Sequence, residues 1–165
     1  MEPQLKWHLE NVADGMALVA RSAAGICAVY LGDSEEQLMT ELKRDFSGKN
    51  LEKELDYLPV LDSRGSPNEG VRLDLEGTEF QKKVWQALQS IPAGETRTYG
   101  EIASSIQSPG AARAVGQACG ANKLAILIPC HRALPANGSL GGFRWGLSWK
   151  EWLLKNETLD RKQTA

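Results

Sequence analysis

The sequence predicts an α/β part over residues 1–75 followed by a mainly α-helical part over residues 76–165. Three observations carry this. Residues 17–31, ALVARSAAGICAVYL, form an apolar run broken once by small polar residues, the pattern of two paired strands. Residues 63–70, SRGSPNEG, make the best linker in the chain, small, polar and punctuated by Gly and Pro. Beyond it, Thr78 with Gln81, Thr98 with Glu101 and Ser148 with Glu151 each repeat the spacing of a capping box ahead of an apolar helical stripe.

In the first part the strands of 17–31 meet at a turn over residues 22–25. A helix follows over 34–46, with Leu38, Met39, Leu42 and Phe46 on one face at the 3.6-residue period. A second short helix is expected over 51–58, striped by Leu51, Leu55 and Leu58. VRLDL at 71–75 alternates like an edge strand. Nothing in this part reads as a reaction site, and His8 has no partner that sequence identifies.

In the second part, Phe80, Val84, Trp85 and Leu88 give the first helix a buried face, and IPAGE at 91–95 ends it. A helix opens after Thr98 and runs to about Ile106. Ser108 and Pro109 fit the cap and first turn of another, carrying Ala112, Val115 and Cys119. Two short helices three or four residues apart have helix-turn-helix spacing. From spacing alone, a compact helical hairpin in a core fits as well. LAILI at 124–128 reads as buried, with Pro129 fixing the chain before Cys130. NGSLGGF at 137–143 is a glycine-rich loop without phosphate-loop spacing. A last helix over about 149–157 buries Trp149, Trp152 and Leu153. Glu157 continues that stripe, which is unusual for a carboxylate without a buried partner.

Composition narrows the function. Whole-chain charge is -2, but residues 1–75 hold 8 basic and 14 acidic residues, net -6, and residues 76–165 hold 11 and 7, net +4. The basic half suits a polyanion, or simply an unevenly charged solvated surface. No apolar run approaches a membrane span, and the N-terminus lacks a secretory pattern. Cys27, Cys119 and Cys130 do not make a disulfide framework, so a reducing compartment is expected. With two histidines and three scattered cysteines, a zinc site has few possible ligands.

PCHR at 129–132 is the most informative tetrapeptide. A cysteine is a strong nucleophile only as its thiolate, and an adjacent histidine can take the proton if a turn or helix start brings the two side chains together. A helix start would also favour the thiolate. Such a histidine needs a third group to fix its tautomer, and Glu157 is the best candidate. Arg132 supplies positive potential or a structural ion pair. Without further context, a buried structural thiol beside a surface histidine explains the dipeptide slightly better. Cys27 and Cys119 read as small core residues.

The second half resembles the O6-alkylguanine-DNA alkyltransferases, the methylated-DNA–protein-cysteine methyltransferases. The resemblance runs through FQKKVWQAL, IPAGETRTYGEIA, AARAVGQACGANKLAILIPCHR and GSLGGFRWGLSWKEWLLKNE, in order, over most of residues 76–157. Within the family it is most similar to the C-terminal alkyltransferase part of the bacterial adaptive-response protein. The resemblance implies an RNase H-like N-terminal domain, 1–75, and a winged-helix-like C-terminal domain, 76–165, containing a helix-turn-helix.

The resemblance also implies an activity: direct-reversal DNA repair, in which the alkyl group of O6-alkylguanine, or of O4-alkylthymine, passes irreversibly to Cys130, once per molecule. No cofactor and no metal are implied. His131 would deprotonate Cys130 through a water, Glu157 would orient His131, Asn122 would brace the cysteine region, and Tyr99 would protonate the departing guanine. Double-stranded DNA would meet the helix-turn-helix through its minor groove with the damaged base flipped out. Arg113 would fill the vacated stack, with Ala112, Gly116, Thr98 and Tyr99 also at the DNA. Ala133, Gly142, Phe143, Arg144 and Trp145 would wall the pocket. A cytoplasmic monomer is expected, nuclear in a eukaryote, with no membrane partner. Ala133 stands where valine is commoner and Phe143 where some relatives have tyrosine. Lesion-binding members without repair activity lack the acceptor cysteine, and Cys130 is present here.

Overall fold

The computed structural model describes residues 4–62 and 64–164. Contacts divide the chain into two compact units, Met1–Leu75 with Lys123–Ile126, and Glu76–Asn122 with Leu127–Ala165.

The first unit is a four-stranded sheet with one helix. Strands β1 (Gln4–Val12), β2 (Gly15–Arg21), β3 (Ile26–Gly32) and β4 (Asn50–Lys53) lie in the order β3-β2-β1-β4. β1–β2 and β2–β3 pair antiparallel, and β1–β4 parallel. The expected turn over 22–25 is present, closed by the Ser22 N–H donating to Gly25 O at 2.9 Å. A Cβ on Gly25 would stand 2.6 Å from Arg72 O, so only glycine lets residues 72–74 approach there. Helix α1 (Glu35–Asp45) buries Leu38 and Leu42 under a Ser34 cap. Residues 123–126 extend the edge of β3: Val29 N–H donates to Lys123 O and Ala125 N–H to Val29 O.

Three expectations change in this unit. β1 was not expected as a strand, because the polar His8 and Glu10 interrupt its apolar alternation. Both are nonetheless buried, 2% and 8% exposed, because they satisfy each other. Glu10 accepts from His8 Nε2 at 2.7 Å and from the Val60 and Leu61 N–H groups, while Glu54 contacts His8 Nδ1 at 3.1 Å and accepts from Arg21 Nε at 2.6 Å. Burial pushes both carboxyls up, and these bonds outweigh it, leaving each below the usual range.

That network also overturns the helix expected over 51–58. Residues 50–53 are strand β4. Glu54 N–H bonds to Trp7 O, and Leu55 and Leu58 stand 91% and 89% exposed. Residues 71–75 make only one bridge, Leu73 to Ile26, rather than a strand.

The second unit is helical around a two-stranded parallel pair, β5 (Arg97–Thr98) with β6 (Ala133–Leu134). Helix α2 (Glu79–Gln89) starts at the Thr78–Gln81 capping box and buries Val84, Trp85 and Leu88; Phe80 is half-buried. The Trp85 indole N–H donates to Ala118 O at 2.9 Å. Helix α3 (Tyr99–Ser105) starts at the Thr98–Glu101 capping box. Helix α4 (Ala112–Gly120) packs against both and buries Val115, Ala118 and Cys119.

α4 starts later than expected. Residues 108–111 form a turn instead of a cap, with Pro109 and Gly110 (φ +89°) at its centre and Ala111 N–H donating to Ser108 O. Six residues, 106–111, therefore separate the two helices. The cause lies at the end of α3, which stops in a Schellman arrangement: Ser108 N–H bonds to Ala103 O and Gln107 N–H to Ser104 O. Gln107 occupies the left-handed position, φ +61°, that glycine usually fills. Because a left-handed non-glycine residue is strained, Gln107→Gly is expected to stabilise the protein by about 0.5–1 kcal/mol in urea melts. A loss instead would mean that the Gln107 side chain holds the turn.

Helix α5 (Leu147–Thr164) also differs at its start. It begins at Leu147, with Lys150 N–H bonding to Gly146 O, so Ser148 lies inside its first turn and is not its cap. Leu153 is buried, while Trp149 and Trp152 are half-buried and meet edge to face at 5.9 Å. Among the described residues no helix is long and apolar enough to cross a membrane.

Candidate active site around Cys130

The segment bearing Cys130 is shaped by Pro129. Its φ of -79° and ψ of 64° are those of an inverse γ-turn, closed by Cys130 N–H donating to Ile128 O at 2.7 Å. One turn of 3-10 helix follows, Cys130–Arg132, with Arg132 N–H donating to Pro129 O at 3.0 Å. This is the turn that two adjacent side chains need in order to serve one site.

Cys130 is 5% exposed and Asn122 only 1%. The Asn122 amide donates to Ile128 O at 3.0 Å and to Cys130 Sγ at 3.3 Å, fixing both the turn and the sulfur. Burial pushes the Cys130 thiol up to about 11, against the pull of the Asn122 bond and the charges of Lys150 and Arg144. The helix start therefore does not by itself yield a thiolate. At neutral pH the sulfur rests as the thiol, and a base must take its proton when it reacts.

His131 is fully buried, and its Nε2 lies 2.7 Å from Glu157 Oε1. A carboxylate on Nε2 fixes the proton there and leaves Nδ1 as a lone pair. That Nδ1 is buried with no hydrogen-bond partner among the described residues. Burial lowers the His131 pKa, and Glu157 only partly offsets this, so the ring is a neutral base. For Glu157, burial is outweighed by bonds from His131 and Arg132, which bring its carboxyl down to about 2.

Tyr99 lies within electrostatic reach of Cys130. Tyr99 opens α3 directly after β5, which pairs with β6 just past Cys130. Its ring faces Gly116 of α4, where a Cβ would meet Tyr99 Cε2 at 3.7 Å. Its hydroxyl would lie 3.5 Å from a Cβ on Gly141. Burial raises the Tyr99 phenol, keeping it protonated. Gly141 needs to be glycine, with φ +71° and a Cβ position 2.8 Å from Pro135 Cδ. Thr98 caps α3, Ala112 is half-buried and Arg113 is exposed on α4.

The expected pocket wall is less uniform. Ala133 is fully buried and Trp145 nearly so, while Gly142 is exposed and Phe143 and Arg144 are half-buried. Phe143 meets Trp145 edge to face at 5.3 Å, and Arg144 lies over the Trp145 ring and reaches Asn122 O at 3.5 Å.

Lys150 escaped the sequence reading, which had no reason to bury a lysine beside Trp149. It is fully buried, donating to Ala133 O at 2.9 Å and Gly142 O at 3.2 Å, and so ties the glycine-rich loop to β6. Its position three residues before Leu153 on the same helix was the available signal. Among the described residues no group of three or more His, Cys, Asp or Glu could hold a metal ion.

A buried thiol, a neutral imidazole with an unpartnered ring nitrogen, a carboxylate behind it and a protonated phenol thus share this region. Residues 79–159 match the family model described as 6-O-methylguanine DNA methyltransferase, DNA binding domain. The structure superposes on the crystal structure of Mycobacterium tuberculosis O6-methylguanine methyltransferase with a TM-score of 0.67 and 34% identity, covering 94% of this chain and 93% of that one. This chain belongs to the O6-methylguanine-DNA methyltransferase family. The M. tuberculosis OGT in complex with DNA matches similarly, at a TM-score of 0.65 and 35% identity over 94% of this chain and 93% of that one. The Escherichia coli bifunctional transcriptional activator/DNA repair enzyme Ada is 44% identical over 161 residues, 93% of this chain and 45% of Ada. The chain spans about half the length of the curated relatives it matches. Membership accords with the α/β part followed by a helical part carrying α3 and α4, the architecture the resemblance implied.

Proposed function

We propose that this methyltransferase-family chain repairs alkylated DNA by a single, irreversible transfer of the alkyl group from guanine O6 to Cys130 Sγ. The observation that carries this is the His131 ring, hydrogen-bonded to Glu157 on one side and with an unused buried lone pair on the other.

His131 Nδ1 takes the thiol proton through one water, and Glu157 stabilises the imidazolium that forms. Sγ attacks the alkyl carbon in line as the bond from carbon to O6 breaks. The bonding pair leaves with the guanine, and Tyr99 gives that guanine a proton, so that a neutral base departs. The Cys130 proton, held on His131, balances the one Tyr99 gives up. The thioether that remains has no route to hydrolysis, so each molecule reacts once. Water exclusion around Cys130 strengthens every electrostatic term in the step.

Double-stranded DNA is the partner in this reading. α4 is rich in alanine and glycine, which lets backbone approach a minor-groove floor, and its Arg113 is free to enter the stack left by a flipped base. Unstacking costs a few kcal/mol, less at a weakened lesion pair. Ala112, Gly116, Thr98 and Tyr99 would also meet the DNA, with Gly142, Phe143 and Arg144 at the flipped base. O4-alkylthymine is a second substrate on the same chemistry.

Mass spectrometry after mixing with duplex DNA containing O6-methylguanine tests the proposal. One methyl group per molecule is expected, on the peptide bearing Cys130. Turnover beyond one equivalent, or an intact lesion, would refute it.

A further inference from the structure

The triad carboxylate is held by more than the histidine it serves. Arg132 Nη2 donates to Glu157 Oε1 at 2.7 Å, the same oxygen that faces His131 Nε2, and Arg132 Nε lies 3.1 Å from Oε2. A bidentate guanidinium fixes a carboxylate's plane as well as its position. The remaining arm, Nη1, donates to Ile91 O at 2.7 Å, and Gly94 N–H approaches Glu157 Oε2 at 3.5 Å. The turn over 91–94 leads into β5 and so to Tyr99. Arg132 side-chain exposure is only 14%, so these bonds are shielded from water.

We propose that Arg132 is a positioning residue for alkyl transfer, locking the Glu157 carboxylate against His131 and tying the turn before β5 to the acceptor segment. This rests on the alkyltransferase reading for its consequence, but its first readout does not need transfer. Among the described residues, the charged groups acting on His131 are Glu157 and Lys150 from α5 and Arg132 from its own turn, where Cys130 is its neighbour in sequence. α2 also packs against that turn, and its buried residues, Val84, Trp85 and Leu88, are not titratable. Of these groups, Arg132 and Lys150 oppose a charge on His131, and Glu157 favours one. Arg132 competes with His131 for the Glu157 charge, since both bond its Oε1. It therefore keeps the ring a neutral acceptor while holding its orientation.

The test is an NMR titration of His131, assigned by the resonance lost in H131Q, in the full chain and in R132Q and R132K. In R132Q the His131 midpoint is expected to rise by about one pH unit, which is a tenfold loss of neutral ring below it. R132K, which keeps the charge, is expected to return the midpoint towards the starting value. Single-turnover transfer by R132Q should then fall about tenfold more at mildly acid pH than at alkaline pH. An unchanged or lowered midpoint would overturn the proposal, as would an equal loss of rate at every pH. If R132Q does not fold, R132K alone decides: a midpoint shifted as far as one unit by loss of the fork, charge retained, would refute the role given to the charge. Failure of the unsubstituted protein to transfer any alkyl group, with the titration behaving as described, would sink the alkyltransferase reading and leave the clamp standing.

Discussion

Replacing Cys130 with serine is expected to reduce transfer from one equivalent to none while the fold and lesion binding persist. Serine is nearly isosteric and still accepts from the Asn122 amide, so the γ-turn at Pro129 and the 3-10 turn remain intact. The chemistry does not survive. His131, a base whose own pKa burial has lowered, cannot hold the proton of a hydroxyl long enough for attack. The two other thiols do not compensate. Cys119 is pushed up to about 12 by burial, with the nearby Cys130 adding to it, and Cys27 donates to Ala20 O inside the sheet. A gel assay for repaired duplex, with binding followed by fluorescence anisotropy, checks this. Methyl transfer by C130S onto Cys119 or Cys27 would move the acceptor and void the assignment.

The site was legible in sequence where chemistry is local and opaque where it depends on burial. PCHR and the misplaced carboxylate Glu157 pointed to the cluster in which His131 meets Glu157, because each breaks a pattern that packing alone would produce. The two capping boxes at Thr78 and Thr98 marked helix starts correctly, since both bonds of a capping box lie within four residues. Ser148 shows the limit of that signal: the same spacing occurs one turn into a helix that starts at Leu147. Long-range polar pairing was invisible. His8, Glu10, Glu54 and Arg21 look like surface residues in sequence, yet they converge from β1, β2 and the segment after β4, conceal a strand and convert an apparent leucine stripe into exposed side chains. Lys150 is the same case beside the site, a cation whose partners are backbone carbonyls that no residue pattern records. The resting state of the sulfur was also out of reach, because burial of Cys130 depends on the whole unit and outweighs the local turn.

Glu157→Gln is expected to slow alkyl transfer by about 10²-fold or more, with affinity for damaged duplex nearly unchanged. The amide still offers an oxygen to His131 Nε2, so the ring stays oriented, but the imidazolium formed during proton transfer loses its compensating charge. The pH dependence follows from the same groups. Burial lowers His131 from its ordinary value, so its neutral, proton-accepting form persists into mildly acid solution. The transfer rate should be level through neutral pH and fall only below the usual histidine range. In E157Q the loss of the carboxylate lowers His131 further, so the fall moves to still lower pH although the plateau is lower. A fall that begins above the ordinary histidine value would contradict the buried neutral base. Stability carries a separate signature. The Glu157 carboxyl sits at about 2 against a usual 4.5, so its stabilisation is fully present above pH 4.5 and disappears as pH drops towards 2. E157Q should therefore melt earlier than the unsubstituted protein at pH 7, and the gap should close on acidification through that window. A gap that stayed constant down to pH 2 would show that the residue contributes packing and not its charge.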